Sequence, residues 1–263
     1  MIQNGAELIP LVTPQPDWLI ADFLHKGTFT CLAGDSNVGK SYFGYSLTLR
    51  LALGIPIFGI ANPPRNILYF DQENSGPDLR AYLHKLFSGL PSPECREEQR
   101  EQLRTRFWHG HFALGTKRWF QVVEQALRDH PSDLLVIDTS TSAFGIVDDN
   151  QTGEAVGVIN QLRWLPAALT TLIFRHTTLH YDARDQNKVV RRTMKGAKVW
   201  KAMLDQTVFM VAEGGRPGEA LRRGYKPTRL EPDKGRAYGL RGPIRLLPIQ
   251  TPDGDWLQEE WVE

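Results

Sequence analysis

Short, nearly continuous apolar runs alternate along this chain with longer segments of helical periodicity. Phe29 to Ala33, Asn66 to Phe70, Leu134 to Ile137 and Thr170 to Phe174 are runs of this kind, the pattern of parallel strands covered on both faces. Between and after them, Ser41 to Leu53, Asp78 to Phe87, Trp119 to Leu127 and Gly153 to Leu165 space their apolar residues as helices do. The interleaved charges of Glu94 to Arg106 predict a surface helix, Arg106 to Phe112 a short strand, Lys198 to Met203 a helix and Thr207 to Val211 a strand. Gly224, Pro227, Pro232, Gly235, Gly239 and Gly242 punctuate the remainder into further strands with tight turns, and Asp253 to Glu263 predicts a terminal hairpin or tail. His180 to Lys195 is polar, too irregular to assign, and long for a passive connection. This alternation predicts an α/β fold: a mostly parallel sheet with helices on both faces, ligands gathering at the strand C-termini. We expect one domain over residues 1–263, with an N-terminal arm (1–27), a core (28–245) and an acidic C-terminal tail (246–263).

The turn after the first apolar run is Gly34, Asp35, Ser36, Asn37, Val38, Gly39, Lys40, Ser41, which fits the P-loop pattern at every fixed position and lies between a strand and a helix. The two glycines let successive backbone N–H groups turn toward phosphate oxygens, and the helix that follows adds its positive N-terminal end. In such a loop Lys40 reaches the β and γ phosphates and the Ser41 hydroxyl binds Mg²⁺. All eight residues are therefore candidate ATP contacts. Asp133 to Asp138 adds the Walker B pattern, an apolar strand delivering a carboxylate beside the P-loop, which makes Asp138 a second candidate ligand for Mg²⁺.

Composition narrows the setting. At 263 residues and 41% hydrophobic, the chain can bury one large core. Its two cysteines, Cys31 and Cys95, make no disulfide framework and suit a reducing cytoplasm. No apolar run is long enough to span a membrane, and Met1 to Pro16 lacks a signal-peptide pattern. The net charge of +1 conceals an asymmetry: of 31 Lys and Arg and 30 Asp and Glu, Arg175 to Arg245 holds 17 and 7, leaving 14 and 23 elsewhere. A basic segment after a nucleotide-binding half predicts an anionic partner, nucleic acid first, or a solvated face paired with acids elsewhere in the fold.

With these motifs in order, Trp18 to Gly239 resembles the RecA-like P-loop ATPases, and within them the single-domain plasmid RepA-type hexameric helicases. The resemblance implies a RecA-like P-loop NTPase core with extra C-terminal strands. It makes Glu73, after the second strand, the general base, and His176, after the fourth, a sensor of the γ phosphate. Here a single histidine followed by Thr177 stands where the family commonly has two. Lys195-Gly196-Ala197 is similar to the family's Arg-Gly-Ser motif. Lys234 and Arg236 are similar to the Lys-x-Arg pair that such enzymes insert into a neighbouring subunit's site, Arg236 as the finger. By the same resemblance the loop after the fourth strand faces a ring channel, where Arg184, Lys188, Arg191, Arg192 and Lys195 would track single-stranded DNA by its phosphates.

The expectation is a hexameric, ATP-hydrolysing motor of plasmid or phage replication, working with Mg²⁺ on single-stranded DNA. A DNA-dependent ATPase that loads or mediates without unwinding, a P-loop small-molecule kinase with His180 to Lys195 as its lid, and a non-hydrolysing switch stay open beside it.

Overall fold

The computed structural model describes residues 16–91, 96–110, 115–144, 152–181, 189–194, 198–213, 227–235, 239–240, 242–252 and 254–262. Strands β3 (Phe29–Gly34), β4 (Ile67–Asp71), β5 (Thr105–His109), β6 (Leu134–Asp138), β7 (Thr170–Tyr181) and β9 (Gln206–Ala212) run parallel in the order β9-β3-β7-β6-β4-β5. Their residues divide by pleat between two cores. Leu32, Tyr69, Val136 and Leu172 face one layer, and Cys31, Phe70, Ile137 and Ile173 the other, which is why these strands are continuous apolar runs.

Helices α1 (Lys40–Leu53) and α2 (Gly76–Ser88) pack on the first layer. On the second pack α4 (Gly115–Asp129), α5 (Ser140–Phe144), α6 (Thr152–Leu162) and α7 (Lys198–Met203), around Trp119, Phe144 and Trp200; α3 (Arg96–Glu101) is a short helix ahead of β5. Helix α1 ends at Gly54, whose left-handed φ of 71° lets its N–H return to the carbonyls of Arg50 and Leu51. Helix α2 begins at Ser75, whose hydroxyl accepts the Asp78 N–H, with Pro77 in the first turn.

Two expectations are corrected, the helix over Glu94 to Arg106 and the irregular segment His180 to Lys195, and the two terminal segments take definite form. The N-terminal arm includes a β-ribbon, β1 (Trp18–Ile20) against β2 (Leu24–His25), with Leu19, Ile20, Phe23 and Leu24 buried in the first core. Among the described residues the helix expected over Glu94 to Arg106 extends only over α3, and from Thr105 the chain pairs with β4. The fourth parallel strand continues to Tyr181 and is met antiparallel by β8 (Val189–Met194), so the segment from His180 to Lys195 contains a hairpin arm. The tail is also sheet: β10 (Thr228–Gly235), β11 (Ile244–Gln250) and β12 (Asp255–Trp261) form an antiparallel extension beyond β9. Leu230, Ile244, Leu246 and Leu257 of that extension complete the first core, and a tail with that apolar face gains more by burial than by solvation.

Candidate active site at the strand C-termini

Register brings the site together. Gly34 pairs with His176 across β3 and β7, and Asp71 with Asp138 across β4 and β6, so four strand ends present chemistry along one edge of the sheet. The loop from β3 turns sharply at Asn37 (φ 63°) and Gly39 (φ 98°), the latter the N-cap of α1. Gly39 needs its missing side chain for that φ. Gly34 needs it for space, since a Cβ there would lie 2.9 Å from the Met210 carbonyl oxygen.

Inside this turn the Lys40 ammonium donates to the carbonyls of Gly34 (3.0 Å) and Asp35 (2.9 Å). Burial lowers its pKa, while Asp138, Glu73 and Asp35 favour its charge. The loop is tied to β7 twice. Thr177 donates its hydroxyl to the Asp35 carboxylate, and Ser36 Oγ lies 3.5 Å from His176 Nδ1.

Asp138 is fully buried, and its pKa is pushed up to about 7, first by desolvation and then by the neighbouring Asp71; the Ser41 and Tyr69 hydroxyls pull the other way. Tyr69 donates to its Oδ2 at 2.9 Å, while Oδ1 is buried without a hydrogen-bond partner. A buried carboxylate oxygen left in that condition is costly unless a cation or donor completes it. Beside a hydroxyl at the start of a P-loop helix, this donor set fits a hard divalent cation such as Mg²⁺. Backbone amides of residues 35–41 at the α1 N-terminus fit phosphate oxygens in the same way.

Glu73 lies across from the loop. Its Oε1 accepts the Thr139 hydroxyl at 3.0 Å and lies 3.3 Å from His176 Nε2. The His176 contact is the main cause of a pKa below the usual carboxylate value; Thr139 adds to it, and burial opposes. Glu73 is therefore a carboxylate at neutral pH, better suited to orienting a water by a hydrogen bond than to holding its proton for long. The Asp138–Thr139 peptide linking the two acids' surroundings is cis.

Gly34, Lys40, Glu73, Asp138 and His176 thus meet at one edge, with Ser41 next to Lys40. Arg191 and Arg192 lie in β8, across the hairpin from His180 and Leu179, and Lys234 lies in β10 opposite Thr207. Arg184, Lys188, Lys195 and Arg236 fall outside the described residues.

Three participants had no sequence signal strong enough to single them out. Asp71 is wholly buried beside Asp138. Tyr45 of α1 donates its hydroxyl to Asp71. Arg175, also buried, donates to Ser140 Oγ at 2.8 Å and lies 4.2 Å above the Trp200 ring. Only the strand register, which the sequence does not state, puts Asp71 next to Asp138.

A parallel α/β sheet with a P-loop after a central strand and a buried aspartate ending the next strand but one defines a P-loop ATPase with a RecA-like fold. The AAA domain family (AAA_25) matches residues 6–180, and the chain belongs to it. The fold is shared with a KaiC-like protein from the hyperthermophilic archaeon Pyrococcus horikoshii, at 13% identity and a TM-score of 0.54, over 92% of this chain and 94% of that one. No curated protein matches the sequence. Among the described residues no helix is long and apolar enough to cross a membrane.

Proposed function

We propose that this chain is an ATP-hydrolysing motor that assembles as a ring, of hexamer size, and moves along single-stranded DNA in the cytoplasm as a replicative helicase of plasmid or phage type, residues 1–263 forming one domain. The observation that carries the ATPase half is the convergence of Lys40, Asp138 and Glu73 on one edge of the sheet, with Oδ1 of Asp138 buried and unpartnered. Residues 34–41 hold the triphosphate, Lys40 donating to its β and γ oxygens, and Ser41 and Asp138 hold Mg²⁺. When bound there, Mg²⁺ would act as a Lewis acid toward the transferred phosphoryl group. Glu73 aligns a water with the γ phosphorus and accepts its proton as the bond to the bridging oxygen breaks, and His176 and Thr139 fix the carboxylate in place.

For the DNA half, support comes from the β7–β8 hairpin. It leaves the sheet directly after His176 and carries Arg191 and Arg192 in β8, and the sequence between the two strands adds Arg184 and Lys188 to a segment of basic composition. Arginines and lysines in that position grip backbone phosphates without reading bases. The trans contribution is assigned to Arg236, with Lys234 as its partner, entering the adjoining subunit's site as an arginine finger.

The test is steady-state ATP hydrolysis with and without single-stranded DNA, for the native protein, Lys40→Ala and Arg236→Ala, with a strand-displacement assay in parallel. Stimulation by DNA that both substitutions abolish is the expected result. Stimulation without displacement would reduce the motor to a DNA-dependent ATPase. No stimulation, with Arg236→Ala silent, would refute the ring.

A further inference from the structure

Asp71 is as deeply buried as Asp138 and one strand away, yet its surroundings are opposite in kind. Its Oδ1 accepts the backbone N–H groups of Glu73 (3.1 Å) and Asn74 (3.0 Å), and its Oδ2 accepts the Tyr45 hydroxyl. Asn74 Nδ2 donates in turn to the Tyr45 oxygen at 2.9 Å, and the Gly110 N–H is held by the Asp71 carbonyl at 3.2 Å. The two amide contacts fix the turn that carries Glu73, the Gly110 bond ties the end of β5 to that of β4, and the two contacts of the Tyr45 hydroxyl reach α1, the helix that starts with Lys40 and Ser41. Tyr45 is one and a half turns into that helix, so the hydroxyl–carboxylate contact is a strut between the phosphate loop's helix and the Glu73 turn.

We propose that Asp71 is a positioning residue for catalysis: through its hydrogen bonds to the Glu73 and Asn74 amides and to Tyr45, it sets where the Glu73 carboxylate stands relative to the P-loop. The inference rests on the reading of Glu73 as the base of ATP hydrolysis. Asp71 itself touches neither water nor nucleotide in this assignment. Its contribution is geometric, and a displacement of a reacting group by about 1 Å is enough to lower turnover up to about 100-fold. The Tyr45 hydroxyl keeps its proton, since burial and the two aspartates push its pKa far up, so it stays a donor across the whole working range.

The experiment measures kcat, KM and the dissociation constant of a fluorescent ATP for the full-length protein with Mg²⁺ and single-stranded DNA. The variants are Asp71→Ala, Asp71→Asn, Tyr45→Phe and Glu73→Gln. Asp71→Ala is expected to lower kcat roughly 10- to 100-fold with nucleotide affinity within about 3-fold of native. Asp71→Asn keeps an oxygen for the two amides, and its NH₂ meets a hydroxyl that can accept, so kcat should return to within about 5-fold of native. Tyr45→Phe should fall between the two. A kcat unchanged in Asp71→Ala, a loss that Asp71→Asn does not rescue, or an equal loss of nucleotide affinity overturns the proposal. If Asp71→Ala does not fold, Tyr45→Phe decides: lowered kcat at native affinity supports the strut, and native kcat removes it. Glu73→Gln separates the two levels, for turnover retained there removes the base and with it the positioning role, whereas turnover lost there but kept in Asp71→Ala removes only the latter.

Discussion

Helix α1 touches a buried carboxylate at each end, and the two are treated in opposite ways. At its last turn Arg50 binds Glu259 of β12: the guanidinium makes a two-pronged contact with both carboxylate oxygens, the Phe58 N–H adds a bond of 2.7 Å, and Arg50 also donates to the Pro56 carbonyl. Both side chains are only 7% exposed. At its first turn Asp138 has hydroxyl neighbours, a second aspartate beside it, and one oxygen without a partner. Burial raises the pKa of both acids. What differs is the compensation of the carboxylate: both oxygens of Glu259 are bonded in the antiparallel extension, whereas one oxygen of Asp138 at the parallel strand ends is not. An ion pair that is closed on itself can only hold β12 against α1, whereas an unfinished one has capacity left for a ligand.

The widest separation of the two ends is expected from Glu259→Ala. Removing one partner of a buried pair strands the other charge, which costs about 3–5 kcal/mol, and urea denaturation should show it as a lower midpoint. Turnover per folded molecule should stay near native. Replacing both partners, Arg50→Met with Glu259→Leu, should recover most of the loss, because apolar residues of similar volume often serve a buried pair's place equally well. A Glu259→Ala protein of native stability would break the comparison at its structural end.

Asp138→Asn tests the other end, with the opposite sign. The folded pKa of Asp138, about 7, lies above the ordinary aspartate value of 3.8. Folding therefore favours the protonated form: this contribution is fully present below about pH 4, declines as pH rises, and is gone above about 7. Three pKa units amount to roughly 4 kcal/mol as an upper bound. At pH 8 without nucleotide or Mg²⁺, Asp138→Asn should be more stable than native, and its melting temperature should vary less between pH 4 and 8. It should also lose Mg²⁺-dependent hydrolysis. Stability and activity moving together in this variant would contradict an unfinished site.

How much of this the sequence disclosed follows from what each feature depends on. The P-loop and the strand before it are local: glycine spacing and an apolar run suffice, so residues 29–53 emerge as strand, turn and helix within one residue of their observed bounds. Asp138 was legible because it ends an apolar strand, and Glu73 and His176 because the family resemblance picks out residues just past two other apolar runs. Asp71 ends one too, but two acids on neighbouring strands become a pair only through the β4–β6 register. Arg50 and Glu259 are 209 positions apart, and neither has any local pattern that anticipates the other. The far part of β7 and all of β8 escaped for a different reason. Thr177 to Tyr181 and Val189 to Met194 leave the parallel sheet, so their strand conformation rests on pairing with each other.

A smaller effect is expected from Gly44→Ala. Its Cβ would press on the Phe174 ring and the Tyr69 hydroxyl, and overpacking of that kind costs about 1–3 kcal/mol. Because the displaced group is the one that donates to Asp138, thermal stability and hydrolysis should fall together, unlike in either of the preceding substitutions. A stable but inactive Gly44→Ala would mean that the sheet yields and only the hydroxyl moves.

The finest test is Tyr69→Phe, which removes one oxygen atom and leaves the ring in the core. Its hydroxyl is one of the two hydroxyls that favour the charged form of Asp138. Without it the carboxylate is less well accommodated, its pKa rises further, and the pH range over which the nucleotide-free protein loses stability shifts upward. At pH 8 the net cost should be about 1 kcal/mol, and at pH 4, where Asp138 is protonated in both proteins, the two melting temperatures should nearly coincide. No such cancellation is expected for Glu259→Ala at any pH between 5 and 8, since Arg50 is charged throughout. If Tyr69→Phe costs the same at both pH values, the hydroxyl acts on packing alone, and the contrast between the two ends of α1 is one of structure without a difference in charge.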